Sequence, residues 1–264
     1  MGRNSKPRIG IVGFGKMGKA ILEQAMLQGF EVNAIIDPLS SDSRVTSKEI
    51  SKAALENTDV CIEFTQAGQA IKNIQEISSL GKDCVIGTTG WLDGINEMKD
   101  AIGNAKTGLV YSANFSIGVN LFYRILESSA RQFSAFQKEY DCYGLELHHK
   151  NKLDSPSGTA KEISRIVIEN FKAKNKAQFD KVDARKISPE EFHLASVRAG
   201  AIVGTHTVGF DSEFDSVTLT HEAKSRNGFA LGALKAAEFV FGKKGIFQFK
   251  ECIDDLIKEK EAVF

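Results

Sequence analysis

The stretch that most constrains this chain lies near its start. The apolar run Arg8-Ile9-Gly10-Ile11-Val12 meets Gly13-Phe14-Gly15-Lys16-Met17-Gly18, and a helical pattern follows with Met17, Ile21, Leu22, Ala25 and Met26 on one side. A strand, a GxGxxG turn and a helix in that order fit a dinucleotide's pyrophosphate. The first two glycines permit a tight turn and close approach of the backbone, and the third lets helix and strand pack closely. The helix start supplies N–H donors and partial positive charge. A second strand expected over 31–36 ends at Asp37, about 20 residues beyond the glycines, where a carboxylate can accept hydrogen bonds from an adenosine ribose. Gly13 to Gly18, with Phe14, Lys16 and Met17 between them, and Asp37 are therefore the candidate cofactor residues. A structural glycine turn with a surface aspartate is the alternative.

The rhythm repeats. A helical stretch is expected near 48–56, a strand over 60–64, a helix over 69–80, a strand over 83–86, a helix over 95–101 and a strand over 109–112. Such alternation implies an α/β fold with a Rossmann-type doubly wound parallel sheet. After Asn114 the pattern changes to one long helix over 116–136, a strand over 140–148, a polar loop over 150–158 and a helix carrying Ile163, Ile166, Val167 and Phe171. Short β-rich runs between 192 and 220 follow, including Ala201-Ile202-Val203, and imply a second α+β domain on a mixed or antiparallel sheet. The last expected helix, 230–241, is apolar enough to pack back on the first domain. The expected division is a dinucleotide-binding domain of residues 1–114 and 226–264, interrupted by a substrate-binding and oligomerisation domain of residues 115–225.

Composition narrows the partners. Lys and Arg number 34 and Asp and Glu number 34, so no global basic field is available for nucleic acid or an anionic membrane. No apolar stretch approaches the ~20 residues of a membrane span, and the polar start leads into no signal-peptide core. A cytoplasmic location is the expectation. Cys61, Cys84, Cys142 and Cys252 are far apart without metal-ligand spacing, so reduced core thiols are expected and no metal.

Three further segments carry candidate chemistry. Gly87-Thr88-Thr89-Gly90 and Ser112-Ala113-Asn114-Phe115 each follow a strand of the first half, where a doubly wound sheet binds its ligands, and are placed to touch the nicotinamide. Ordinary strand-to-helix turns would have the same composition. The third segment, Glu146 to Ala160, gathers two of the five histidines with Lys150 and Lys152, a composition suited to proton delivery beside an anion. In a regular strand His148 and His149 face opposite sides. Gly158 and Thr159 open the next helix, so their backbone N–H groups and the Thr159 hydroxyl can hold a carboxylate. A solvated basic loop with a helix cap is the alternative.

The run from Glu146 to Ala160, with its paired histidines, a lysine and Asp-x-Pro-Ser-Gly-Thr-Ala, resembles the signature of the dihydrodipicolinate reductase family. Gly87 to Gly90, Ser112 to Phe115, Arg198-Ala199-Gly200, Ile202-Val203-Gly204-x-His206 and the run from His221 to Ala233 are similar to further family blocks in the same order. The resemblance spans nearly the whole chain. It implies reduction of a small cyclic dicarboxylate, dihydrodipicolinate or its 4-hydroxy precursor, in the diaminopimelate route to lysine, with hydride from NADH or NADPH. His148 and Lys152 would be catalytic, and His149, Lys150, Gly158 and Thr159 would hold carboxylates. The resemblance also implies a homotetramer joined through the β-rich domain. Two departures bear on the cofactor: the glycine loop is a shorter form, and Pro38 follows Asp37 where many members carry a basic residue soon after the acidic one. Rival readings are an aspartate- or homoserine-type dehydrogenase and a dinucleotide sensor without turnover.

Overall fold

The computed structural model describes residues 6–91, 94–179 and 181–261. The chain divides into two units, one taking in the chain up to Ile117 and from Arg226 onward, the other Gly118–Ser225.

In the first unit β1 (Ile9–Val12), α1 (Lys16–Leu27), β2 (Val32–Ile36), β3 (Val60–Glu63), α2 (Ala67–Ser79), β4 (Asp83–Ile86), α3 (Ile95–Ala105) and β5 (Gly108–Tyr111) alternate as expected except between β2 and β3, which no helix separates. After the second unit the chain returns with α6 (Asn227–Val240), β11 (Gly245–Gln248) and α7 (Phe249–Glu261). The strands form one sheet in the order β11-β5-β4-β3-β1-β2, and every pairing is parallel. Its strands are apolar on both faces because helices cover both. Ile9, Ile11, Val60, Ile62, Val85 and Val110 point to one core with residues of α1, α6 and α7. Cys61, Cys84, Ile86 and Leu109 point to the other, with Ile74 and Ile77 of α2 and Met98 and Ile102 of α3. Full burial of each such branched side chain contributes about 2 kcal/mol.

The second unit comprises α4 (Ile117–Ser134), which starts at the boundary, β6 (Asp141–His148), α5 (Gly158–Asn170), β7 (Lys176–Phe179), β8 (Glu191–Arg198), β9 (Thr205–Asp211) and β10 (Ser216–Glu222). Its sheet runs β10-β9-β6-β8-β7 and is mixed: β10, β9 and β6 pair antiparallel, while β6, β8 and β7 pair parallel. Alternate residues of β6 face a core built with Phe122, Leu126 and Ala130 of α4 and Ile163, Ile166 and Val167 of α5. Tyr143, Leu145 and Leu147 face the other way and stay half-buried or exposed.

Several expectations are corrected. Residues 48–56 form turns rather than a helix, because the Ser47 hydroxyl accepts from Glu49 N and the Ser51 hydroxyl from Ala54 N, local bonds that compete with a helical ladder. Ala201-Ile202-Val203 is a connection, not a strand. Gly200, at φ +50°, turns the chain so that its carbonyl accepts from Lys150 N, and Ala199 N donates to the His148 carbonyl. β7, β11 and α7 add elements beyond those expected. The four cysteines are buried and free, and burial pushes the Cys61, Cys142 and Cys252 thiols up to about 12. Among the described residues no helix is long and apolar enough to cross a membrane.

Candidate active site

In the first unit the glycine loop leaves β1 and enters α1. Gly13 has φ +92°, and a Cβ there would lie 2.3 Å from the Phe64 carbonyl oxygen; one at Gly18 would lie 2.1 Å from the Gly13 carbonyl oxygen. Both positions exclude a side chain. A Cβ at Gly15 would meet nothing within 4 Å, and no side chain caps α1, whose first turn carries no acidic residue. An uncapped helix start beneath open space suits a phosphate. Lys16 is exposed and Met17 half-buried. Phe14 turns its ring into the core and its N–H onto Asp37 Oδ2 at 2.7 Å.

Asp37 thus has a structural task that its sequence position did not announce. Its Oδ1 accepts from Leu39 N at 2.8 Å and Ser40 N at 2.9 Å. Burial works against the anion, but these backbone donors, with the Lys48 charge, hold the carboxyl below its ordinary range. Beside it, Asp42 pairs with Arg44 at 2.8 Å and Lys19 at 3.1 Å, and the Arg44 guanidinium lies 5.0 Å from the centre of the Phe14 ring.

The other loops of this unit are partly framework. Thr88 Oγ1 accepts from Thr65 N, and the Thr88 carbonyl accepts from the Trp91 indole. A Cβ at Gly87 would strike the Phe64 ring. Thr89 and Ala113 are exposed. Ser112 Oγ accepts from Asn114 N, and Phe115 is buried against Phe64 and Phe249, leaving its backbone as the part that can face a ligand.

In the second unit one buried carboxylate gathers the candidate residues. Glu146 and His148 share a face of β6, His206 of β9 stands directly opposite Glu146, and Arg198 of β8 stands opposite His148. Glu146 is completely buried; its Oε1 accepts from Arg198 at 2.9 Å and from Ser157 N at 3.0 Å, while Oε2 lies 3.5 Å from His148 Nδ1 and 3.4 Å from His206 Nε2. Burial opposes the anion, yet the donors of His206, Ser157 and Arg198 hold its carboxyl well below the usual range. His148 is pushed down to about 4, first by burial; Glu146 opposes that shift, and His206, Lys152 and Arg198 add to it. Glycine at 204 keeps His148 Nε2 uncovered on that side, since a Cβ there would come within 3.1 Å. The ligand atoms of Glu146, His148 and His206 lie within 4.8 Å of one another, a spacing that suits a metal ion. Arg198, however, already supplies Glu146 with its counter-charge.

β6 ends at His148, so His149 begins the loop, half-buried, and its Nδ1 has no hydrogen-bond partner. Lys150 is exposed, and Lys152 holds both oxygens of Asp154, at 2.8 and 3.0 Å. Arg198 also donates to the Asp154 carbonyl at 2.7 Å, tying the loop to β8. At its far end the Ser155-Pro156 peptide is cis, Ser157 Oγ caps α5 by accepting from Ala160 N, Gly158 is exposed and Thr159 bonds to Tyr123. Glu146, Arg198, His206 and Ser157 were absent from the candidate residues; the signal that finds Glu146 is its i,i+2 relation to His148 on a strand.

A parallel sheet with a glycine loop fitted to a pyrophosphate, followed in the chain by a unit with a buried acid–base cluster, is the plan of a nicotinamide-dependent oxidoreductase. Residues 7–115 match the family model described as dihydrodipicolinate reductase, N-terminus, and residues 118–253 match the one described as dihydrodipicolinate reductase, C-terminus. The chain belongs to the dihydrodipicolinate reductase family. It is 34% identical over 250 residues to the 4-hydroxy-tetrahydrodipicolinate reductase of Christiangramia forsetii, covering 95% of this chain and 99% of that one. Its identity to the enzyme of that name from Neisseria meningitidis is 37% over 206 residues, 76% of this chain and 74% of the relative. The fold matches a dipicolinate-bound dihydrodipicolinate reductase from Paenisporosarcina with a TM-score of 0.74 at 22% identity, covering 92% of this chain and 98% of that one.

Proposed function

We propose that the chain reduces 4-hydroxy-tetrahydrodipicolinate to tetrahydrodipicolinate in the diaminopimelate route to lysine, using NADH or NADPH. Beside family membership, the observation that carries this reading is His148, buried against Glu146 at the start of the loop that bears Lys150 and Lys152 to the capped start of α5. His148 transfers the proton and Lys152 stabilises charge developing on the ring. His149, whose Nδ1 has no protein partner, Lys150, Gly158 and Thr159 hold the carboxylates. The bound nicotinamide supplies the hydride.

Gly15, Lys16, Met17 and Gly18 present backbone to the pyrophosphate, and Gly13 and Phe14, whose N–H groups are held by Ile36 and Asp37, shape the turn beneath it. Gly87, Thr88, Thr89, Ser112, Ala113, Asn114 and Phe115 border the nicotinamide end. Asp37 retains acceptor capacity for the ribose beyond its backbone bonds. Asp42 draws Lys19 and Arg44 away from a 2′-phosphate, which favours NADH use at least as efficient as NADPH use. The half-exposed apolar face of Tyr143, Leu145, Leu147 and Val197 supports assembly of a homotetramer through the second unit's sheet, which sedimentation of the purified protein tests. Four buried free thiols support a cytoplasmic location.

The deciding experiment couples the upstream synthase, generating fresh substrate, to oxidation of NADH and NADPH offered separately. Turnover with either is the expected result. Tight dinucleotide binding without turnover would favour the sensor, and turnover with aspartate or homoserine the other dehydrogenases.

A further inference from the structure

We propose that Glu146 and Arg198 are positioning residues that govern the charge of His148, so that His148 takes up a proton as the dicarboxylate binds. The proposal rests on the reading of His148 as the proton-transfer residue. Glu146 never reaches outward: it is completely buried, on the same face as His148, and its four neighbours are the Arg198 guanidinium, Ser157 N and the two imidazoles. That arrangement places the one anion of the cluster against Nδ1 of His148 and leaves Nε2 beside the space at Gly204.

The charged groups around His148 come from every neighbouring element. Glu146 lies on its own strand, Lys152 on the loop beyond, Arg198 on β8 and His206 on β9, with His221 of β10 opposite His206 in register. Burial comes first in keeping the imidazole of the free chain neutral at pH 7, and the cations of Arg198 and of Lys152, itself paired with Asp154, add to it against the single charge of Glu146. A neutral imidazole that carries its proton on Nδ1, the nitrogen 3.5 Å from Glu146 Oε2, has no proton at Nε2 to give. A planar dicarboxylate brings two negative charges to the same cations. Opposite charges within about 4–6 Å move a titrating group by about one to three units, enough to populate the imidazolium between about pH 5 and 7. Glu146 then stabilises the charged ring, as the buried carboxylate does in other acid–base histidines. The proton comes from solvent, and His148 regains one from solvent after each transfer.

Two charge substitutions on this cluster have opposite signs. Glu146→Gln removes the anion, so the alkaline limb of the kcat–pH profile moves down by about one unit or more. Arg198→Gln removes a cation, and the limb moves up. Glu146→Asp keeps the charge and restores the limb towards its original place. A purely structural role would lower stability in all three without opposed shifts. Independently of turnover, calorimetry of pyridine-2,6-dicarboxylate binding to the unmodified full chain in buffers of different ionisation enthalpy is expected to show net proton uptake that is largest near pH 5.5, where it approaches one proton, and that fades towards pH 8. His148→Gln should abolish that uptake. Limbs that stay fixed or move together, or binding without proton uptake, would overturn the proposal even if a substituted chain fails to fold. Near-normal turnover of His148→Ala would overturn the functional reading as well, whereas its loss with unmoved limbs would overturn this inference alone.

Discussion

The loop after β1 and the loop after β6 both leave the carboxyl end of a strand and both enter a helix, yet the helices begin differently. α1 starts without a side-chain cap, so its N–H donors face outward. α5 starts under Ser157, whose hydroxyl accepts from Ala160 N and whose own N–H is bound to Glu146. An anion at α1 therefore meets backbone alone, while one near α5 meets, beside Gly158 and Thr159, the charges of Lys150 and Lys152 and the imidazole of His149. The first kind of site is fixed by sterics and is insensitive to pH; the second is fixed by electrostatics and is not.

The contrast breaks most visibly at the glycines. Gly18→Ala places a Cβ 2.1 Å from the Gly13 carbonyl oxygen, and we expect dinucleotide affinity to fall by about 100-fold or more, with a loss of about 3 kcal/mol in stability. Gly15→Ala meets nothing within 4 Å and should leave stability unchanged while weakening dinucleotide binding about tenfold, read by fluorescence titration. If both alanines behave alike, the loop is a structural turn and no phosphate sits on it.

In the second unit His148→Ala and Lys152→Ala should each lower kcat by about 100-fold with NADH binding retained. Near-normal turnover would remove the residue concerned from the mechanism. The pH dependence sharpens the comparison further. Above about pH 7.5 the His148 imidazole is neutral folded or unfolded, so it contributes no pH dependence. Between pH 6.5 and about 4 the unfolded chain takes up a proton that the folded chain refuses, and stability declines as pH falls. Glu146, held low in the fold, extends the decline below pH 4.5. Urea melts at pH 7, 5.5 and 4.5 should show a smaller decline in His148→Gln than in the unmodified chain; equal slopes would show that His148 titrates normally.

The smallest expected effect lies at the adenosine end. Asp42→Asn frees Lys19 and Arg44, and kcat/KM for NADPH relative to NADH should rise about threefold. A ratio that does not move would mean that neither cation reaches the 2′ position.

Much of the first unit was legible because its signals are local. Strands apolar on both faces, glycines forced by backbone contacts and an aspartate at a strand end all leave marks within a few residues. What Asp37 does with its oxygens was not legible, since Phe14 reaches it only once β1 and β2 are side by side. In the second unit the histidine-rich loop was legible, but its organising carboxylate was not singled out, since Arg198 and His206 come to it from distant strands. β7 is a short, half-buried edge strand with little alternation to announce it. α7 did carry a signal in the spacing of Phe249, Cys252, Ile253, Leu256 and Ile257, which pack on the first core.

The order of strands has a consequence for how the chain is made. β5 takes its outer partner from β11, whose residues Gly245–Gln248 are synthesised only after the entire second unit. At about 5–20 residues per second, the nascent first unit waits on the order of ten seconds with that edge open. An unpaired strand edge is a template for association with other chains. Whatever slows translation between the two strands should therefore raise aggregation during synthesis without altering the stability of the finished molecule.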